Sequence, residues 1–304
     1  KGRKEGAKTR GAEILDAFLF HNYMIGDQPG TVRLGKQVVS WGESTFIMNS
    51  INSINPIDVS AFRRPGAELK EGLIPVNMFY VSQSITDRLS AEAFYQLSWK
   101  QTVVDNCGTF FSGADVAADG CNNGYHLLNG QLTQLIAGID QHPLLPNMSD
   151  LGINYSSEGL RISRGKDRKA GDSGQWGLAL RWMGDNTEYG AYVMNYHSRT
   201  PFLSMQNAQM DATTLGQMAA AGDALYAGAQ GAMTQAQASQ LGAAAVLVGN
   251  GRYLMDYPED LRLYGLSFST TLPTGTAWQG EISYRPNAPV QINTQDMTLA
   301  LATG

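Results

Sequence analysis

The chain of 304 residues is long enough for one large core or two domains, and only 16% of its residues are charged. A formal net charge of −5 gives no reason to expect nucleic acid as a partner, because such binding needs a basic face, and no apolar run approaches the ~18 residues that a membrane helix needs. The 34 glycines, 13 tyrosines and 5 tryptophans suit a β-barrel wall between lipid and water, or a glycine-rich soluble β-sandwich or propeller.

Alternation of apolar and polar residues predicts eight strands. Strand four is the clearest, because every second residue from Leu89 to Trp99 is apolar while Glu92 and Lys100 lie on the opposite parity. Its length fits a tilted membrane strand, although a soluble sheet with one wet face shows the same pattern. In chain order the predicted strands are 12–25, 31–41, 76–85, 89–102, 174–183, 188–198, 262–272 and 278–284.

The connections between these strands alternate between tight turns and long segments. The long segments are 42–75, with a short helical piece after Pro56, then 103–172 and 200–261. Within the second, the pattern at 124–139 fits a helix or a strand; the third is rich in alanine and predicts weakly amphipathic helices near 211–226 and 234–248. Those helices would form a plug or lid, or an external cap.

Short turns on one side and long loops on the other are typical of transmembrane barrels. The sequence therefore predicts an all-β antiparallel transmembrane β-barrel, with residues 1–304 as one domain and short helices in its long loops. A fragment of wall pattern at 297–302, and a start at Lys1 in mid-pattern, lead us to expect that the barrel is incomplete at both ends.

Cys107 and Cys121 are the two cysteines, and both lie in the polar segment 103–172. A disulfide is the simplest interpretation, with two free thiols as the alternative, and it implies an oxidising compartment. Two cysteines without a nearby pair of histidines make a poor metal site.

No catalytic constellation stands out. Residues 171–174 (GDSG) resemble the nucleophile motif of trypsin-like serine proteases, but none of the four histidines lies in a partner motif, and the tetrapeptide also suits the start of a strand. The histidines lack metal-ligand spacing, and no phosphate-binding loop or dinucleotide motif is present. We therefore expect no enzyme activity, no metal and no cofactor.

Two groups of charged residues are candidate sites. The first suits an anion-attracting mouth, contact with lipopolysaccharide phosphates, or simply a solvated turn, and comprises Arg161, Arg164, Lys166, Arg168 and Lys169. The second would form a charged constriction in a lumen, with a salt-bridged loop surface as the alternative for its arginine pair, and comprises Arg63, Arg64, Glu92, Lys100, Arg181, Glu281 and Arg285.

Several blocks resemble one large family of Gram-negative outer-membrane proteins, known as domain of unknown function 1302. The blocks are RLGKQVVSWGES, INSINPIDVSAFRRPGAELKEGLIPVNM, DSGQWGLALRWM, TEYGAYVMNYHSR and GEISYRPNAPVQ, between about residues 33 and 291. The second block is long and unusual enough to be specific, whereas the alanine-rich part at 211–248 matches least well. The family has no settled catalytic or binding residues to carry over.

The resemblance implies a porin-like barrel in the bacterial outer membrane, in contact with outer-membrane lipid and lipopolysaccharide. It also implies two partners, a periplasmic protein with a lipid-carrier-like fold and an inner-membrane exporter of the resistance-nodulation-division type. The expected function is passage of a hydrophobic or lipid-like molecule across the outer membrane. The alternative is a general diffusion porin for small polar or anionic solutes.

Overall fold

An antiparallel sheet built from the alternating strands forms the centre of the structure. The computed structural model describes residues 14–43, 50–63, 65–66, 72–113, 115–122, 125–127 and 130–304. Its strands are β1 Ala17–Ile25, β2 Gln28–Gln37, β3 Val76–Ser84, β4 Leu89–Gln96, β5 His126–Leu127, β6 Tyr155–Ser156, β7 Gly159–Arg161, β8 Ser163–Arg164, β9 Trp176–Met183, β10 Thr187–Tyr196, β11 Phe202–Gln206, β12 Arg252–Asp256, β13 Leu261–Thr271 and β14 Ala277–Tyr284.

Eight of these strands pair in the order β1-β2-β3-β4-β9-β10-β13-β14, and every pair is antiparallel. They correspond one to one to the eight strands predicted from the sequence. The described part of the chain is mostly β-structure, as expected. None of its helices is both long enough and apolar enough to cross a bilayer.

The predicted alternation of connections is confirmed. Four short turns, at 26–27, 85–88, 184–186 and 272–276, lie at one end of the sheet, and the three long connections leave from the other. Because neighbouring strands are antiparallel, a turn that closes one hairpin forces the next connection to start at the opposite end. The long connections therefore meet in one place.

Strands β2 and β4 end four and six residues earlier than the sequence predicts. Strand β2 stops at Gln37, because the next residues bond to Asn55, whose Oδ1 accepts from the Val39 amide at 3.0 Å. Strand β4 stops at Gln96, and Trp99 then leaves the sheet to pack edge-on against Tyr257, with ring centroids 5.0 Å apart. In both cases tertiary contacts override a continuing strand pattern.

The second and third long connections, together with the segment that follows β14, build a mixed α/β region, here called the cap, at one end of the sheet. It contains the two small sheets β11-β12-β8 and β5-β7-β6 and the helices α1 Gln131–Asp140, α2 Ala212–Gly228, α3 Gln235–Asn250 and α4 Thr294–Thr303. The predicted helices at 211–226 and 234–248 are confirmed as α2 and α3. They pack with α1 and α4 around a buried core centred on Ile136, Leu225, Val246 and Leu301.

Local signals explain where these helices begin. Asp211 caps α2 by accepting a hydrogen bond from the Thr214 amide, and Thr234 and Gln237 form a reciprocal capping box at the start of α3. The prediction that residues 297–302 are part of the wall is wrong, because they lie within α4. Asn293 caps that helix, and buried Leu301 anchors it against the core of the cap.

The disulfide is confirmed, with an S–S distance of 2.06 Å between Cys107 and Cys121. Arg164 also stabilises the loop that this disulfide closes. Its guanidinium donates to the carbonyl oxygens of Val116, Ala117, Ala118 and Cys121 and pairs with Asp167 at 2.9 Å. The disulfide and the buried Arg164 guanidinium thus both stabilise this loop of the cap.

Candidate functional site

The sheet presents an exposed apolar face, made by every second residue of its strands. On β9 the residues Trp176, Leu178, Leu180 and Trp182 are between 39% and 50% exposed. Two rows of aromatic side chains border this apolar face: Tyr95, Trp176, Tyr264 and Tyr284 near the cap, and Trp182, Tyr189, Phe268 and Trp278 near the short turns. The opposite surface is here called the inner face.

Acidic and basic groups from three neighbouring strands meet on the inner face. Arg181 on β9 forms ion pairs with Glu92 on β4 at 3.1 Å and with Glu188 on β10 at 2.9 Å. Because strands β4, β9 and β10 are adjacent in the sheet, residues far apart in sequence become neighbours. The sequence had placed Glu92 and Arg181 in one charged group, and the structure brings them together.

A part of the first long connection lies over this inner face. We call residues 38–43 and 50–63 the covering segment. Trp41, Ile51 and Ile54 are at most 1% exposed and belong to the same buried cluster as Met78, Phe94, Tyr192 and Met194 of the sheet. The Trp41 indole also donates to Glu92 Oε2 at 2.7 Å, which joins the covering segment to the ion pairs.

Two glycines of the sheet make room for the covering segment. A Cβ atom at Gly177 would lie 2.8 Å from the Trp41 ring and 2.5 Å from Phe94. One at Gly265 would lie 2.6 Å from Ile51. Both distances are shorter than van der Waals contact, so the inner face fits the covering segment only because these positions carry no side chain.

Polar contacts tie the covering segment at several points. Glu281 accepts hydrogen bonds from the Glu43 amide at 2.7 Å and from the Ile51 amide at 3.4 Å. Arg285 donates to the Ser50 carbonyl at 2.8 Å. Burial raises the pKa of the Glu43 carboxyl, and the nearby charge of Glu188 adds to this effect.

The other predicted constriction residues lie elsewhere. Arg63 pairs with Asp105 at 2.8 Å and stacks on Phe111, so it contacts the connection that carries the disulfide. The Lys100 ammonium lies 3.4 Å from the Pro75 carbonyl. Arg64 is outside the described residues.

The predicted basic cluster divides into buried and exposed members. Arg164 is only 5% exposed at its side chain, and its donors serve the disulfide loop and Asp167. Arg161 donates to the Asn154 side chain at 3.1 Å. The remaining members, Lys166, Arg168 and Lys169, are exposed, and Arg168 pairs with Asp256 at 3.3 Å.

The GDSG tetrapeptide lies beside His197, which in turn contacts Asp260, but both contacts are made by backbone atoms of Ser173 and Asp260. His197 Nε2 bonds to the backbone carbonyl of Ser173 at 2.8 Å, and Nδ1 accepts from the backbone amide of Asp260 at 3.0 Å. Both ring nitrogens are therefore used by the backbone, which leaves neither to activate a serine hydroxyl. Within the described ranges, no group of three or more potential ligands could hold a metal ion.

Sequence reasoning missed three residues that matter here. The pattern predicts Trp41 as the last residue of a strand, and it does not distinguish Glu188 from other polar strand residues. It also does not single out Arg199, which is 7% exposed and lines a cavity beside the covering segment. The available signal for Arg199 was its charge directly after an apolar strand. For Trp41 the signal was the following glycine, which indicates a turn away from the strand.

The family model described as "Protein of unknown function (DUF1302)" matches residues 1–304, the full length of the chain. No curated protein and no solved structure matches it. The resemblance seen in the sequence blocks is thereby confirmed, and the chain belongs to the DUF1302 family.

Proposed function

We propose that this chain forms the wall of an outer-membrane β-barrel that passes a hydrophobic or lipid-like molecule. The observation that carries the proposal is the apolar face, exposed across the sheet and bordered at both ends by aromatic rows. A lipid-facing barrel wall has an apolar band between two aromatic girdles, because tyrosine and tryptophan favour the membrane–water interface.

Strand length supports the same proposal. The eight strands have 8 to 11 residues. Tilted strands of roughly 9–11 residues span a bilayer. By the usual arrangement of such barrels, the short turns would face the periplasm and the cap would face outward.

The covered inner face favours a lipid-like molecule over free diffusion of small solutes. A general porin keeps an aqueous channel inside its wall, whereas here Trp41, Ile51 and Ile54 fill space against the inner face. A molecule with apolar surface could move along a wall that carries both apolar groups and the Arg181 ion pairs. The periplasmic carrier and the inner-membrane exporter would supply or receive it.

The position of the tryptophans tests the membrane part of the proposal. Trp176, Trp182 and Trp278 lie on the apolar face, Trp41 is the buried tryptophan of the covering segment and Trp99 packs in the cap. In variants that keep one tryptophan each, brominated phospholipids should quench the first three and leave Trp41 fluorescent. Equal quenching of all five, or a chain that is monodisperse without detergent, would contradict a lipid-facing sheet.

Conductance and lipid transfer separate the conduit from the porin. We expect the reconstituted chain to show little steady ion conductance and to accelerate the movement of a lipid or hydrophobic probe between donor and acceptor membranes. Stable conductance without such movement would support the general diffusion porin instead. Mass spectrometry of lipids that co-purify with the protein would identify candidate molecules.

A further inference from the structure

A cavity of about 340 Å³ lies where the inner face of the sheet meets the cap. Its walls come from the covering segment, from the ends of β10 and β13, and from the residues that follow β10 and β14. The volume falls in the range of small-molecule pockets, about 300–1,000 Å³. Two arginines, Arg199 and Arg285, line it.

Arg199 is buried, and no acidic side chain of the described ranges pairs with it. It is 7% exposed, and its guanidinium donates to the Lys100 carbonyl at 3.1 Å and to the side-chain oxygens of Gln96 and Gln175 at 2.5 and 3.1 Å. All three acceptors are neutral. Burial lowers the pKa of this guanidinium from 12.5 to about 9, so the group stays charged at neutral pH.

Arg285 lines the same cavity. It donates to the Ser50 carbonyl and to the Ser53 hydroxyl, at 2.8 and 3.0 Å, and its guanidinium lies 5.8 Å from the Tyr196 ring. These partners are also uncharged. In both arginines the Nε atom is buried and has no hydrogen-bond partner within the described part of the chain.

Two guanidinium groups without a carboxylate leave a strong positive potential in a confined space. A buried cation normally lies beside an anion, since removing it from water costs several kcal/mol. Among the described residues neither arginine has an acidic side chain at ion-pair distance. An anionic ligand would supply the missing charge, and guanidinium groups bind carboxylate and phosphate oxygens well.

The rest of the cavity wall is largely apolar. Ile57, Phe202, Leu261 and Pro289 contribute hydrocarbon surface beside the two charges. The geometry points to a binding site for an anionic amphiphile, whose carboxylate or phosphate head meets Arg199 and Arg285 while its hydrocarbon tail contacts the apolar wall. This inference rests on the proposed function, and it specifies the transported class as acidic lipids or other amphiphilic anions.

Binding to the purified full-length chain in a neutral detergent tests the site. The probes are laurate, dodecyl phosphate, the neutral dodecanol, and acetate and inorganic phosphate, which have no tail. We expect laurate or dodecyl phosphate to bind more tightly than dodecanol, and the comparison of these two shows which anionic head is preferred. Arg285→Gln should weaken binding of the preferred anion about tenfold or more, because a charge-assisted contact is lost.

Arg88→Gln provides a matched control, because it removes the same charge from an exposed arginine at the short-turn end of the sheet. Arg199→Lys is the second variant: it keeps the charge but loses the planar fork, and it should also weaken binding. A circular dichroism spectrum like that of the unaltered chain establishes that each variant is folded. The inference is overturned if dodecanol binds as well as both anions, if acetate or phosphate matches the amphiphiles, or if Arg285→Gln behaves like Arg88→Gln.

The two proposals can fail separately. If tryptophan quenching and lipid transfer fail while binding of an anionic amphiphile still depends on Arg285, the proposed function is wrong and the binding site stands. If lipid transfer succeeds without any dependence on Arg285, the binding site is wrong and the proposed function stands.

Discussion

Replacement of Trp41 by alanine should release the covering segment from the sheet. The indole is 1% exposed, packs between Phe94 and Tyr192 at ring distances of 5.0 and 5.8 Å, and donates a hydrogen bond to Glu92. Truncation of a buried tryptophan to alanine costs about 3–5 kcal/mol. The Trp41→Phe variant keeps a ring and loses the hydrogen bond, so we expect it to lose about 1.5 kcal/mol of stability.

Hydrogen exchange measured by mass spectrometry gives the local stability of the covering segment. A loss of about 3 kcal/mol corresponds to roughly a hundredfold increase in the population of the open segment. Amides of residues 50–57 should therefore exchange much faster in Trp41→Ala, while those of β9 and β10 change little. If the covering segment also keeps ions out, the variant should conduct more than the unaltered chain.

Trp176→Ala is the matched control, because Trp176 is 39% exposed and lies on the opposite face of the sheet. It should leave exchange in residues 50–57 nearly unchanged. The reasoning is refuted if Trp41→Ala raises exchange at 50–57 by less than about fivefold, near 1 kcal/mol. A uniform increase over the whole sheet would also refute it, because the indole would then support the entire fold.

Four further predictions concern other parts of the molecule. Gly177→Ala should destabilise the protein by about 1–3 kcal/mol through overpacking against Trp41, seen as a lower urea midpoint than that of a Gly216→Ala control. Cys121→Ser should cost about 3 kcal/mol and open the cap to protease, and a reductant should add nothing to that variant. Burial and a hydrogen bond to Asp140 raise the pKa of Tyr155 from 10.0 to about 12. The stability that the neutral phenol contributes is therefore present below pH 10 and is lost as the pH rises through 12. The Tyr155→Phe variant should lose less stability than the unaltered chain over that interval, and equal losses would contradict this prediction. Replacing the exposed Lys166 and Lys169 by glutamine should weaken binding to lipopolysaccharide vesicles and reduce its salt dependence, with unchanged binding as the contrary result.

The sequence alone was sufficient to predict the eight strands of the sheet. Strict alternation along β4 and β9 places apolar side chains on one face, because successive residues of a strand point to opposite sides. The lengths of the connections predicted which end of the sheet carries long loops. The two cysteines were close enough in the chain for a disulfide to be the simplest interpretation. These properties depend on residues that are near one another in the chain, so the sequence pattern is enough to predict them.

The candidate sites depended on contacts between distant parts of the chain. Trp41 continues a strand pattern, yet it turns onto the inner face because Gly177 leaves space there and Glu92 accepts a hydrogen bond from its indole N–H. Arg164 was indistinguishable from its exposed neighbours until the disulfide loop was seen to surround it with carbonyl oxygens. Whether a charge is buried depends on what packs over it, and one sequence does not contain that information.

The pair formed by Arg199 and Arg285 shows the same limit most clearly. Arg199 lies in the connection that follows β10, whereas Arg285 comes directly after β14, the last strand of the sheet. Only the pairing order β10-β13-β14, together with the covering segment folded back over the sheet, brings them to one cavity. The sequence by itself determined the strands, their faces and their connections; the tertiary structure decided which charges meet, because only packing sets the distances and the burial on which their energies depend.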